Sequence, residues 1–487
     1  MFIRNNNRSL TSKNVAAYIN HAVRADIAFP VKQIQAYIKE TLKVDISYIK
    51  AWRARRISVD SIYGNWKSNF EELPKYITAL MSSNNGTIVE WYHQTDGSSE
   101  YNTFKYVFWA FGPVIKAFQH CRPIICVDGT HLTGSYRGKL LIAVTKDANK
   151  YILSVAYAIV DEETNDSWDR HKDIIHAMNN LDMWKEPLAY HRFCLRHVRS
   201  NFMKKFKNVS LKRLCWSIGS TTQRRKYRSC IQQMKKINPE AWEYLKQIGF
   251  NKWTLMHDEK DSRWGNLTTN ISESLNNALR GARVLPIKAC IDYTFNKVVQ
   301  QFRNHTDIAK HCKTSLPPRV WHTFDERDNR GQDHTVTEFN EEEGWYRVTS
   351  MMQTNQDGDN DYIVQYKNKK CSCGKWQAER FPCSHAISIC RHRGERPHDI
   401  VHRVYKNATY LQQYQSDFRP LPHPALWIDP GWRIIADESK IVTSRGRRRA
   451  RRIHNKMDVH YREESVARRC GICNETGHNR KRCPNRS

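Results

Sequence analysis

The segment CSCGKWQAERFPCSH places Cys371, Cys373, Cys383 and His385 in the order Cys-x-Cys-x9-Cys-x-His. Thiolates and imidazoles are the ligands that zinc prefers, and a Cys-x-Cys turn facing a Cys-x-His at a helix start can close a tetrahedron around one ion. Strand-like residues precede the cluster and AISICRH after it reads as helix, so the expected unit is a small ββα zinc finger. A further segment, CGICNETGHNRKRC, spaces Cys470, Cys473, His478 and Cys483 at intervals of two, four and four residues. A loop this short can hardly order itself without metal, so folding and zinc binding are one event there. The expectation is two structural zinc ions.

A different chemistry is suggested by CVDGTHLTGSYRGKL, where Asp128 closes an apolar run. A carboxylate at a strand end can hold a divalent cation, and two-metal phosphoryl-transfer sites gather about three such groups around ions ~3.5–4 Å apart. Strand-ending aspartates also cap turns, so Asp128 alone leaves both readings open.

The bulk properties favour a polyanionic partner. The 487 residues carry a net charge of +30 with a pI near 9.6, which points to nucleic acid. The opening MFIRNNNRSL has no apolar signal region, so the 14 cysteines are expected to be reduced and clustered ones to bind metal. The longest apolar run, 151–160, is too short to span a bilayer, and no membrane partner is expected. The run RGRRRARR, with Arg445, Arg447, Arg448, Arg449, Arg451 and Arg452, suits both a phosphate-contacting arm and a nuclear-localisation signal. A nuclear location is therefore expected.

These groups need elements to hold them. In residues 1–65 two helical patterns flank a break at Lys43-Val44-Asp45: Val31, Ile34, Ile38 and Leu42, then Ile46, Ile49 and Trp52. The latter pattern carries Lys50, Arg53, Arg55 and Arg56, as a recognition helix of a helix-turn-helix would. An ordinary helical hairpin with a solvated basic face gives the same pattern. Residues 66–118 are expected to be a helical connection. A core over 119–305 begins with three apolar, β-branched runs, IICVD, LLIAVT and ILSVAYAIV, read as neighbouring strands of a mixed sheet. A basic helical insertion follows at about 175–265, with 203-MKKFKN and 224-RRKYRS on helix faces. Then come a polar linker (306–344), the finger (345–395), a Pro-rich and basic linker (396–465) and the terminal Cys/His module (466–487).

The cluster from Cys371 to His385 resembles the SWIM-type zinc finger. The cluster from Cys470 to Cys483 is similar to a CCHC zinc knuckle, a module that grips single-stranded nucleic acid or a protein. Asn474 stands where glycine is common in such knuckles and no aromatic occupies its first loop, which argues against base stacking there. The stretch from CRPIICVDGTH to DEETNDSW, FCLRHVRSNFMKKF and TTNISESLNNALRGARVLPI resemble, in order, the transposase domain of plant Mutator-like elements of the MuDR type. That resemblance implies a fold of class α/β plus α: a ribonuclease-H-like DDE transposase core, with the helical insertion, the finger and the knuckle. It implies catalytic roles for Asp128, Asp169 and Glu273, which would hold Mg²⁺ or Mn²⁺. It also implies a core Cys/His pair, Cys194 and His197, whose expected role is structural support.

One departure matters. In the family the second acid follows a helix and a fourth strand, yet only eight residues, Asp161 to Trp168, separate the third strand from Asp169. A helix and a strand with their connections take roughly 25 residues, so one of each is expected to be missing. The first strand would then lose a neighbour and the third acid its register. The expected function is that of a Mutator-like transposase, or a nuclear protein derived from one, that binds DNA and zinc with cleavage and strand transfer lost or impaired. The alternative is a domesticated DNA-binding transcriptional regulator without nuclease activity. Element terminal repeats are the expected DNA, and homo-oligomers are expected from the family.

Overall fold

The computed structural model describes residues 10–95, 101–134, 136–160, 189–258, 262–268, 278–350 and 361–441. Asp169, Glu273, the arginines from Arg445 to Arg452 and the zinc-knuckle ligands lie outside the described residues.

The chain starts with three helices, α1 (Ser12–Ala25), α2 (Val31–Leu42) and α3 (Tyr48–Tyr63). Helix α2 stops where Lys43 turns left-handed (φ 55°), and α3 begins where the Ser47 hydroxyl accepts the Lys50 N–H at 3.2 Å. The break therefore falls at the predicted residues. The predicted stripe does not: Ile46 is buried but Ile49 is 61% exposed. Helix α3 instead buries Ala51, Ala54, Ser58 and Val59. Ile46 precedes the cap, so the apparent periodicity runs across a helix boundary. The small face of α3 lies against α1, where Ser58 donates to Asn20 at 2.6 Å.

Residues 66–118 are only partly the helical connection expected of them. Helix α4 (Trp66–Ser83) is followed by a hairpin of β1 (Ile88–Thr95) and β2 (Tyr101–Ala110), then by α5 (Gly112–Phe118). The hairpin is rich in aromatic and β-branched residues. A bulge opposite Tyr92/His93 interrupts the alternation, so that Phe104, Val107 and Trp109 are all fully buried despite their uneven spacing.

The three predicted core strands are β3 (Cys126–His131), β4 (Lys139–Lys146) and β5 (Ile152–Val160). They form an antiparallel meander, and the hairpin adds to β5, giving the order β1-β2-β5-β4-β3. The three predicted strands are antiparallel to one another, and the sheet is mixed only through a short parallel strand described below. Among the described residues β3 has a ladder on one side only, to β4. Helix α11 (Ile287–Lys310) covers the face formed by Trp109, Ile142 and Tyr157, and Trp109 Nε1 donates to Thr294 at 3.2 Å.

The predicted insertion is helical: α6 (Leu195–Phe206), α7 (Val209–Ser220), α8 (Arg224–Ile237), α9 (Pro239–Gln247) and the single turn α10 (Phe250–Trp253). It has its own core around Leu195, Phe202, Ile218, Met234 and Trp253. No helix of the described residues is long and apolar enough to cross a membrane.

Neither predicted linker is a free connection. In 306–344, α12 (Pro318–Gln332) buries Val320 and Phe324 beneath its charged face, and β6 (His334–Asn340) opens the finger's sheet. Its high charge belongs to the solvated side of an amphipathic helix. After the finger, α15 (Asn407–Gln413) and the Pro-rich stretch strap back over the large sheet. Tyr410 is fully buried, Tyr414 nearly so, and β10 (Arg433–Ile435) pairs in parallel with β2. The stretch is extended as its prolines require, but its aromatic residues anchor it: Phe418 lies against Phe111, Phe295 and Phe302.

The strap closes on a buried carboxylate. Asp147 is fully buried in the β4–β5 turn and accepts from Tyr414 Oη at 2.8 Å, His305 Nδ1 at 3.0 Å and the Tyr151 N–H at 2.8 Å. Tyr414→Phe removes one donor from a carboxylate that water cannot reach, and is expected to cost about 1–3 kcal/mol. Native-state hydrogen exchange of β4 and β5 amides reads that loss; unchanged exchange there refutes the contact's importance.

Candidate metal centre and the acidic strand

The finger is a four-stranded antiparallel sheet, larger than the ββα unit expected: β6, β7 (Trp345–Ser350), β8 (Asp361–Gln365) and β9 (Lys370–Cys371). It is followed by α13 (Lys375–Glu379) and α14 (Ser384–His392). Cys371 ends β9 and Cys373 lies in the turn after it. Cys383 occupies the N-cap position of α14, with His385 in its first turn. The four ligand atoms all lie within 4.8 Å of one another, and the residues are buried. Cys371 Sγ and His385 Nδ1 are 3.5 Å apart. Zinc bonds of about 2.3 Å to sulfur and about 2.0 Å to nitrogen put tetrahedral ligands about 3.5–3.8 Å apart, so the set fits one zinc ion. Among the described residues it is the one grouping of three or more potential ligands close enough to hold a metal.

The surroundings fix these ligands in place. Gln377 accepts the Cys371 N–H at 3.1 Å and donates to its carbonyl at 2.9 Å. Tyr362 stacks on the His385 ring with centroids 3.9 Å apart. Hydrogen bonding from the Cys371 and Cys383 thiols holds the Cys373 thiol well below its usual range. Cys371 is pushed up, first by its bond to Cys373, and Cys383 is pushed up mainly by burial. Three thiols packed this closely repel one another once ionised, and a divalent cation at their centre relieves that repulsion.

The Cys373 turn is also docked on the insertion. Thr222 Oγ1 donates to the Cys373 carbonyl at 2.8 Å, just ahead of α8. Gly374 takes φ +75°, and a Cβ there would lie 2.4 Å from Thr222, so glycine is required both for the turn and for the approach.

The acidic residues are not gathered in the same way. Asp128 lies in β3 opposite Ile142, 9% exposed, on the face that carries Cys126. Asn266 Nδ2 donates to the Cys126 sulfur at 3.0 Å. With Asp169 and Glu273 outside the described residues, the geometry of three acids is not on view. Cys194 caps α6 and His197 lies in its first turn; both are buried among contacts that tie this end of α6 to 262–268, including Leu195 N–H to Leu267 O at 2.8 Å.

Of the four predicted phosphate contacts on α3, Arg53 and Arg56 are exposed and Lys50 is half-buried. Arg55 turns inward to donate to the Phe29 carbonyl at 3.3 Å, and burial lowers its pKa. A more open basic surface is α8, where Arg224, Arg225 and Arg228 line a shallow depression with Ser229 and Gln232. Its buried side is Tyr227, Cys230 and Met234, and no acidic residue lies within the helix.

Residues 124–171 match the family model of the MULE transposase domain, and residues 362–394 match that of the SWIM zinc finger. No curated protein matches the chain. The first match runs through β3, β4 and β5, and the other contains all four metal ligands. A transposase-related, zinc-binding protein is the result, and the two matches in one chain support a Mutator-like transposase family.

Proposed function

We propose that this chain is a transposase-derived nuclear protein of the MuDR type that binds duplex DNA and has lost cleavage and strand transfer. The observation that carries the loss is the short spacing of only eight residues between Val160 and Asp169. In a complete ribonuclease-H-like core, Asp128, Asp169 and Glu273 would hold Mg²⁺ or Mn²⁺. The ions would supply activation of water or a 3′-hydroxyl for in-line attack on a phosphodiester. Carboxylates must be held to within about half an ångström for this chemistry, and eight residues are too few for the helix and strand that would carry Asp169 into register. DNA binding survives that loss, because the basic faces of α3 and α8 and the tail from Arg445 to Arg452 do not depend on the acids. The knuckle adds a second zinc, and assembly into homo-oligomers on paired element ends belongs to the same reading. A domesticated transcriptional regulator would bind in the same way.

Full-length protein with duplex DNA is expected to lose roughly 10³-fold in affinity between about 50 and 200 mM salt, as contact with some six phosphates requires. With Mn²⁺ present, end-labelled DNA should remain uncut. Nicked products that vanish in Asp128→Ala would overturn the proposed loss of cleavage, and salt-insensitive binding would overturn the phosphate contacts.

A further inference from the structure

Where the β4–β5 turn meets the finger, positive charge collects without enough negative charge to balance it. Arg122, just ahead of β3, is 7% exposed. Its Nε and Nη2 are buried and find no hydrogen-bond partner among the described residues. The guanidinium lies 4.6 Å over the Tyr405 ring, which packs 5.1 Å from Phe381. Lys150 Nζ and Arg327 Cζ sit 5.3 Å and 5.1 Å over Phe381 in turn. The nearby carboxylate, Glu379, is already engaged by Arg327. A guanidinium cannot discharge itself by losing a proton, and burying one without a counter-charge or acceptors is costly. The Tyr405 face recovers only part of that cost. Lys150 registers the same field, its ammonium being lowered to about 8 by burial first and then by Arg122 and Arg327. Lys146, at the end of β4, is lowered by burial and by Arg122. Both lysines are half-buried, so their own side chains are partly open to solvent.

We propose that this interface is a binding site for a phosphate-class oxyanion, received by Arg122 with Lys146 and Lys150. A tetrahedral anion offers acceptors to a planar fork of donors and to ammonium groups together, the combination found wherever arginine and lysine share a phosphate. Such an anion would sit on the large sheet where it faces the finger, because Arg122, Lys146 and Lys150 all belong to the sheet and its turn. The phosphate can come from a nucleic-acid backbone or be free in solution; the site chemistry is shared and does not depend on the loss of cleavage.

The test uses the full zinc-loaded chain titrated with inorganic phosphate and pyrophosphate against potassium chloride of equal ionic strength, followed by thermal midpoint and calorimetry. Wild type should show a saturable rise in midpoint. Arg122→Met and Lys150→Met should each weaken phosphate binding at least about tenfold, as loss of a charge-assisted hydrogen bond implies. Without phosphate, Arg122→Met should melt no lower than wild type, since it removes an uncompensated charge; should it fail to fold, Lys150→Met carries the test. A duplex oligonucleotide that displaces phosphate from wild type and binds Arg122→Met more weakly identifies a DNA backbone phosphate. An oligonucleotide that leaves phosphate binding unchanged identifies a free phosphate. No midpoint shift beyond the chloride control, or equal shifts in wild type and both variants, would overturn the proposal.

Discussion

Cys383→Ser is expected to remove one zinc ion per chain and to unfold the module spanning 334–350 and 361–392. Serine keeps the N-cap position of α14 but offers no thiolate, so the ion loses a ligand from the middle of its shell. Structural zinc in small modules binds with an apparent ~10–16 kcal/mol that is also folding free energy. The finger has little else to rely on. Cys371, Cys373 and Cys383 are themselves core members, beside Tyr346, Val348, Val364, Trp376 and Ile389. The zinc content should fall by one rather than to zero, because the terminal knuckle is proposed to hold another. Hydrogen exchange should accelerate across the module and, through the Thr222 contact, at the start of α8. A chelator that strips the ion should produce the same exchange pattern in wild type. Unchanged zinc stoichiometry in the variant would remove the assignment.

Trp109→Ala is expected to open the large sheet. The indole is fully buried, stacks on Tyr157 at 5.4 Å with an interplanar angle of 14°, and donates to Thr294 across the sheet–helix interface. Large-to-small changes of this kind cost about 3–5 kcal/mol through lost transfer energy and the cavity left behind. Thr294 then loses its donor as well. Several units make up this chain, so a global midpoint, which serves to report that a ligand binds, is not the measure that locates this loss. Amide exchange in β2, β5 and α11 is: those protons should exchange faster together while the finger's do not. Concerted acceleration in the finger would mean that the two sheets share one cooperative unit, and a cost below about 1 kcal/mol would refute the packing.

The sequence was most legible where the determinants are close together. The four zinc ligands fall within 15 residues, and the break between α2 and α3 is written in one left-handed lysine and one serine cap. The runs that became β3, β4 and β5 are continuous because the sheet buries them. Features set at long range were not legible. The β2 hairpin strand has a bulge that spoils its period, and Ile49 is left outside because α1 approaches the alanine face of α3. Charge hid α12, whose apolar stripe amounts to Val320 and Phe324 with Trp321 half-buried beside them. The Arg122 site draws on residues from 122 to 405, and no local spacing announces such a gathering. Two of the three acids fall outside the described residues, so the family pattern speaks for them and the geometry does not.

The strap that returns after the finger changes what kind of appendage the finger is. The polypeptide leaves the large sheet's core at the end of α11, builds α12 and the whole metal module, and rejoins the same core at Tyr410 and Tyr414. The finger is thus an inserted excursion with both roots planted in one body, and not a bead threaded onto its end. Cutting the gene after α11 to obtain a bare catalytic-type fragment would strip the aromatic plug from over Asp147. Swapping fingers between relatives would require matching two junctions instead of one.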